Sequence, residues 1–143
     1  MYVHREVVTR SREGRPMEMI TLTSRLRMLE EREDYVQGCF PDGEARPFKF
    51  KKPTVFISSR VHPGETPASF VYDGMINFLS QDTEQASALL DNFVFKFVPV
   101  LNPDGVARGY YRLDTLGQNL NRFYSSPDPV LQPTIFAVKQ VIE

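Results

Sequence analysis

Two short apolar runs dominate the middle of the chain, residues 54–59 (TVFISS) and 93–100 (FVFKFVPV). Their length and their β-branched and aromatic content make them strands, and their near-continuous apolarity makes them strands buried on both faces. Between them Pro67 suits the first turn of a helix, and Val71, Met75, Phe78 and Leu79 then recur at helical spacing. Asp82, with Gln85 three residues on, can cap a second short helix running through Leu90. Strand, helix and strand in that order predict a right-handed crossover between parallel neighbours. The expected fold is therefore α/β: a mainly parallel or mixed twisted sheet with flanking helices.

The flanks fit around that unit. Residues 1–24 read as a hairpin, with β-prone segments 5–10 (REVVTR) and 17–24 (MEMITLTS) about the turn residues 13–16 (EGRP). Residues 25–34 are a charge run, read as a solvated loop or a short helix. The crossover occupies 53–100, a loop follows over 101–126, and 133–143 reads as a helix with no stop signal. A helix that ends without a cap suggests a piece of a longer protein, truncated on its C-terminal side. The 143 residues amount to one domain's worth of chain.

Composition removes whole classes of function. Net charge is −1, which gives no general electrostatic reason to bind nucleic acid. No apolar stretch approaches the roughly 20 residues of a membrane span, and the charged first twelve residues do not read as a secretory signal. Cys39 is the only cysteine, so no internal disulfide can form, and the cytoplasm is the default compartment. Within residues 105–125, Arg108, Arg112 and Arg122 face Asp114 alone, an arginine-rich loop in an otherwise acidic half.

Four local features carry chemistry. His62-Pro63-Gly64-Glu65 follows a predicted strand, where sites form in wound sheets. A histidine and a carboxylate three apart on one turn can reach the same divalent ion. Imidazole plus carboxylate without thiolate suits a catalytic zinc with an open position. Alone the tetrad is a weak signal: a loop histidine beside a glutamate that favours the helix dipole reads the same way. In Asn119-Leu120-Asn121-Arg122, Asn121 and Arg122 side by side can hold one carboxylate, the guanidinium as a two-pronged donor. Arg112, in a Gly-Tyr-Tyr-Arg run, offers a fixed cation for a developing oxyanion. Asn102-Pro103-Asp104-Gly105 reads as a turn that aims the loop after it. Each arginine alone is equally a surface arginine.

The ordered set is more specific than any member. Residues 58–67 (SSRVHPGETP), 93–96 (FVFK), 101–106 (LNPDGV) and 119–122 (NLNR) together resemble the zinc carboxypeptidases of the M14 family, in particular its cytosolic carboxypeptidase subgroup. The resemblance covers nearly the whole chain. It implies His62 and Glu65 as ligands of one Zn2+, Arg112 as the residue that polarises the scissile carbonyl, and Asn121 and Arg122 as the grip on the substrate's terminal carboxylate. It also implies a third ligand, a histidine, and a general-base glutamate beyond Glu143. The expectation is then the N-terminal half of a catalytic domain, inactive alone. The implied substrates are glutamylated protein tails, as on tubulin and microtubules, with no nucleic-acid or membrane partner. Two rivals stand beside this reading: an M14-like amidohydrolase of small N-acyl amino acids, and a truncated, non-catalytic paralogue that binds a partner.

Overall fold

A computed structural model describes residues 1–43 and 45–143. Among the described residues six strands and four helices form in chain order. They are β1 (Tyr2–Arg10), β2 (Pro16–Thr23), β3 (Met28–Arg32), β4 (Phe48–Phe50), β5 (Thr54–Ser58), α1 (Pro67–Leu79), α2 (Glu84–Asn92), β6 (Val94–Val98), α3 (Pro103–Ala107) and α4 (Pro133–Ile142). A single 3-10 turn, Leu120–Arg122, lies in the loop before α4.

The main sheet has the order β1-β2-β6-β5. It is mixed. β1 pairs antiparallel with β2, β2 antiparallel with β6, and β5 parallel with β6. Opposite faces of each strand feed opposite cores, as the two-residue period requires. On one face Val8, Met17, Met19 and Val98 pack with Ala137 and Val138 of α4. On the other Leu22, Phe95 and Phe97 pack with Leu79 and Leu90 and with the half-buried Tyr72 and Ile76. The sheet is thus sandwiched between α4 and the α1/α2 pair, with Phe97 fully buried at its centre.

Three local expectations are corrected. Residues 25–34 are neither a solvated loop nor a helix: Met28–Arg32 is a strand paired with Phe48–Phe50, and the Arg32 guanidinium lies over the Phe48 ring at 4.2 Å. Val71, Met75 and Phe78 do not face the core. The buried side of α1 is one step along, at Tyr72, Ile76 and Leu79; of the four residues read as the apolar stripe, Leu79 is in the core and the other three are exposed. The N-cap of α2 is Thr83, whose hydroxyl accepts the Ala86 amide at 3.2 Å, and not Asp82. Burial of Ala86 and Leu90 sets that phase.

A polar cluster is buried against the main sheet. Arg46 and Glu6, both almost fully buried, pair at 2.7 Å, and Arg46 also reaches Glu33 at 2.8 Å. Lys96 joins the same Glu33. Burial pushes the Glu6 carboxyl up from its ordinary value, against the pull of Arg46.

Candidate active site

The site is built where β5 and β6 end. β5 stops at Ser58, and Arg60 turns the chain with φ of 56°. That left-handed conformation costs a non-glycine residue about 1–2 kcal/mol. The Arg60 side chain offsets the cost. Its Nη2 and Nε donate to the Pro63 carbonyl at 2.6 and 3.1 Å, and its Nη1 donates to Ser69 Oγ in the first turn of α1 at 2.7 Å. Within the turn, the Glu65 amide donates to the His62 carbonyl at 3.2 Å and the Thr66 amide to that of Gly64 at 2.8 Å.

His62 is buried and Glu65 is exposed, and their side chains meet, with Nδ1 2.8 Å from Oε1. The other ring nitrogen, Nε2, lies 2.9 Å from Asn119 Oδ1. That Asn119 atom also accepts the Asn121 amide at 3.1 Å, which identifies it as the oxygen. Nε2 therefore donates. In the neutral ring, Nδ1 is left with a lone pair aimed at a carboxylate oxygen. Two acceptors at that separation call for a proton or a cation between them. A carboxylate and an imidazole whose far nitrogen is held by an oxygen acceptor form the donor set that divalent metals take, so these residues fit zinc as two of its ligands. Among the described residues no third His, Cys, Asp or Glu joins them. His4 sits in β1, opposite Thr21.

Backbone bonds bring the remaining candidates to the same place. The Gly64 amide donates to the Tyr111 carbonyl at 2.7 Å, which ties the residue before Arg112 to the metal-ligand turn. Arg112 is exposed and makes no hydrogen bond or ion pair with the described residues. Asn121 and Arg122 follow Asn119 and Leu120 in the 3-10 turn, both exposed; the Arg122 amide donates to the Asn119 carbonyl at 3.0 Å and its guanidinium to the Asn121 carbonyl at 3.3 Å. The other nearby arginines are committed elsewhere: Arg60 to the turn, and Arg108 to Glu13.

The Asn-Pro-Asp-Gly segment is a short helix rather than a bare turn. Asn102 caps it by accepting the Gly105 amide at 2.9 Å, and Asp104 inside it is buried. Asp104 accepts from Ser11 Oγ at 2.6 Å, Arg15 at 2.8 Å and the Glu13 amide at 3.1 Å, all in the β1–β2 turn. Neither this link, nor the role of Asn119, nor the Arg60 clasp could be found from spacing. Each joins a residue to a partner that only folding brings near. The one available signal for Asn119 was its place in the Asn-Leu-Asn-Arg run.

Fold and turn together define the class. The zinc carboxypeptidase profile matches residues 2–130, and the chain belongs to that family. It is 49% identical over 99% of its length to cytosolic carboxypeptidase-like protein 5 of Danio rerio, and 48% identical over the same share to the Homo sapiens protein of that name. The chain spans 16% of the length of each. Among solved structures, a metallo-carboxypeptidase from Burkholderia cenocepacia matches 98% of the chain with a TM-score of 0.75 and 30% identity, over 32% of its own length.

Proposed function

We propose that the protein carrying this chain is a zinc-dependent carboxypeptidase of the cytosol that removes glutamate from the ends or branches of polyglutamylated proteins such as tubulin. The observation that carries the reading is the His62–Glu65 pair, with the far side of the ring held by Asn119, in a chain of this family. Bound there, Zn2+ supplies a water acidic enough to attack near neutral pH and a positive charge beside the scissile carbonyl.

The chain's own residues bind and orient. His62 keeps its proton on Nε2, against Asn119, and so presents Nδ1 beside Glu65. Arg112, with no partner among the described residues, is available to the negative charge that develops on the carbonyl oxygen. The planar Arg122 guanidinium can take both oxygens of a terminal carboxylate, with Asn121 donating beside it. Two arginines that make no ion pair among the described residues favour an acidic substrate. The remaining ligand and the general base are assigned to parts of the longer protein outside this chain, which by itself is expected to bind zinc weakly.

The test is a two-by-two cycle on the complete enzyme: parent and Arg122→Lys, each with free-acid and amidated glutamate peptides. Lysine keeps the charge but loses the fork, so kcat/KM on the free acid should fall about ten- to a hundred-fold. Amidation removes the same interaction, so the two losses should not add. Fully additive losses would show that Arg122 does not touch that carboxylate.

A further inference from the structure

We infer that Arg60 is a positioning residue for the metal-ligand turn, a clasp that sets where His62 and Glu65 stand. The inference rests on the reading of that pair given above. Arg60 is held at both ends. Its carbonyl accepts the Asn102 amide at 3.1 Å, which fixes its backbone to the N-cap of α3, just after β6. Its guanidinium grips the Pro63 carbonyl twice and Ser69 Oγ once. The segment it spans contains both His62 and Glu65. Other bonds share in holding that segment: the Gly64 amide donates to Tyr111, Asn102 Nδ2 to the Val61 carbonyl, His62 Nε2 to Asn119, and the Ala68 and Ser69 amides to Glu65 and Thr66. The Arg60 side chain is the link that joins the start of the turn to its middle and to α1 at once. The backbone at Arg60 would suit glycine better, since φ there is 56°. An arginine in a glycine's conformation, with its side chain turned back over the turn, is accounted for by what the side chain holds. Only a planar fork can meet the Pro63 carbonyl and the Ser69 hydroxyl together, so lysine is not an equivalent.

Arg60→Gly separates positioning from folding. It removes the clasp while relieving the backbone, so the urea midpoint should stay near that of the parent. Two readouts are then made on the chain. Amide hydrogen exchange, in the absence of metal, should speed up about tenfold at Gly64, Glu65 and Thr66 and remain unchanged in β6. Zn2+ affinity, measured by chelator competition, should weaken about tenfold in both Arg60→Gly and Arg60→Lys, the size of effect that supporting residues have on a metal site. Parent-like exchange at residues 64–66 together with parent-like Zn2+ affinity in Arg60→Gly would overturn the inference. His62→Ala is the control. If it binds Zn2+ as tightly as the parent, the metal-site reading itself fails, and the exchange measurement alone then decides whether Arg60 holds the turn.

Discussion

At Gly64 a Cβ would stand 2.6 Å from the Tyr111 carbonyl oxygen and 2.8 Å from the Tyr111 ring. The requirement is for space: the ring could move aside, but the backbone carbonyl, the nearer of the two, cannot. Gly64→Ala should therefore cost about 1–3 kcal/mol and displace the Arg112 loop. Urea unfolding and the shift of the Tyr111 and Arg112 amide resonances would measure the two effects. A second residue gives a pH dependence. Asp128 Oδ1 accepts the amides of Val130 at 2.8 Å and Leu131 at 2.9 Å, and these bonds hold its carboxyl below its ordinary value. A depressed carboxyl stabilises the fold above its unfolded value and loses that contribution as pH falls through the folded one. Asp128→Ala should thus be less stable than the parent at neutral pH. The gap between their urea midpoints should close as pH falls below 3.8. At this scale the sequence was legible where chemistry is local: His62 and Glu65 are three apart, and they meet. It was silent where the partner is distant, as with Asn119, 57 positions from His62.

Among the elements, α1 shows how periodicity under-determines a helix. Phe70, Val71, Tyr72, Met75, Ile76, Phe78 and Leu79 place apolar residues on two adjacent stripes. A spacing of three and four fits Val71, Met75 and Phe78 as well as it fits Tyr72, Ile76 and Leu79. The choice is made from outside the helix, by the turn that fixes where α1 begins and by the sheet against which it lies. Met75→Ala should therefore change stability by no more than about 0.5 kcal/mol, and Ile76→Ala should cost about 2 kcal/mol or more. Paired denaturant curves would check the phase. The strand β3 was illegible for a different reason. Its Glu and Arg residues define no apolar period, and its pairing comes from backbone bonds and from Arg32 over Phe48. The strand β6 was read correctly because burial on both faces leaves its mark on every residue. β5 was read correctly as a strand but not as one buried on both faces: it is the edge of the sheet, exposed at Thr54 and Ser58 and half-buried between them.

For the molecule as a whole, Asp104 links the β1–β2 turn to the loop system at the end of β6, across about ninety positions of chain. The carboxylate is buried, and its loss would leave a hydroxyl, an amide and part of a guanidinium without their acceptor. Asp104→Ala should cost about 2–3 kcal/mol. Thermal unfolding measures it, and Asp104→Asn, which keeps one acceptor, should lose less.

The strand order β1-β2-β6-β5 carries a consequence for how the molecule comes together in time. The hairpin joins residues close in the chain and can close in microseconds. The next pairing sets Ile20 against Phe97 and Leu22 against Phe95, and must first bring together distant parts of the polymer. β5 can join only beside β6. The turns bearing His62 and Asn102 leave the ends of those two late strands. The pair of side chains that meets at 2.8 Å is local, but the bonds that fix its place, to Asn119 and to the loop after β6, join distant parts of the chain. The metal-ligand turn is thus held in its final place only by contacts that the assembled scaffold provides.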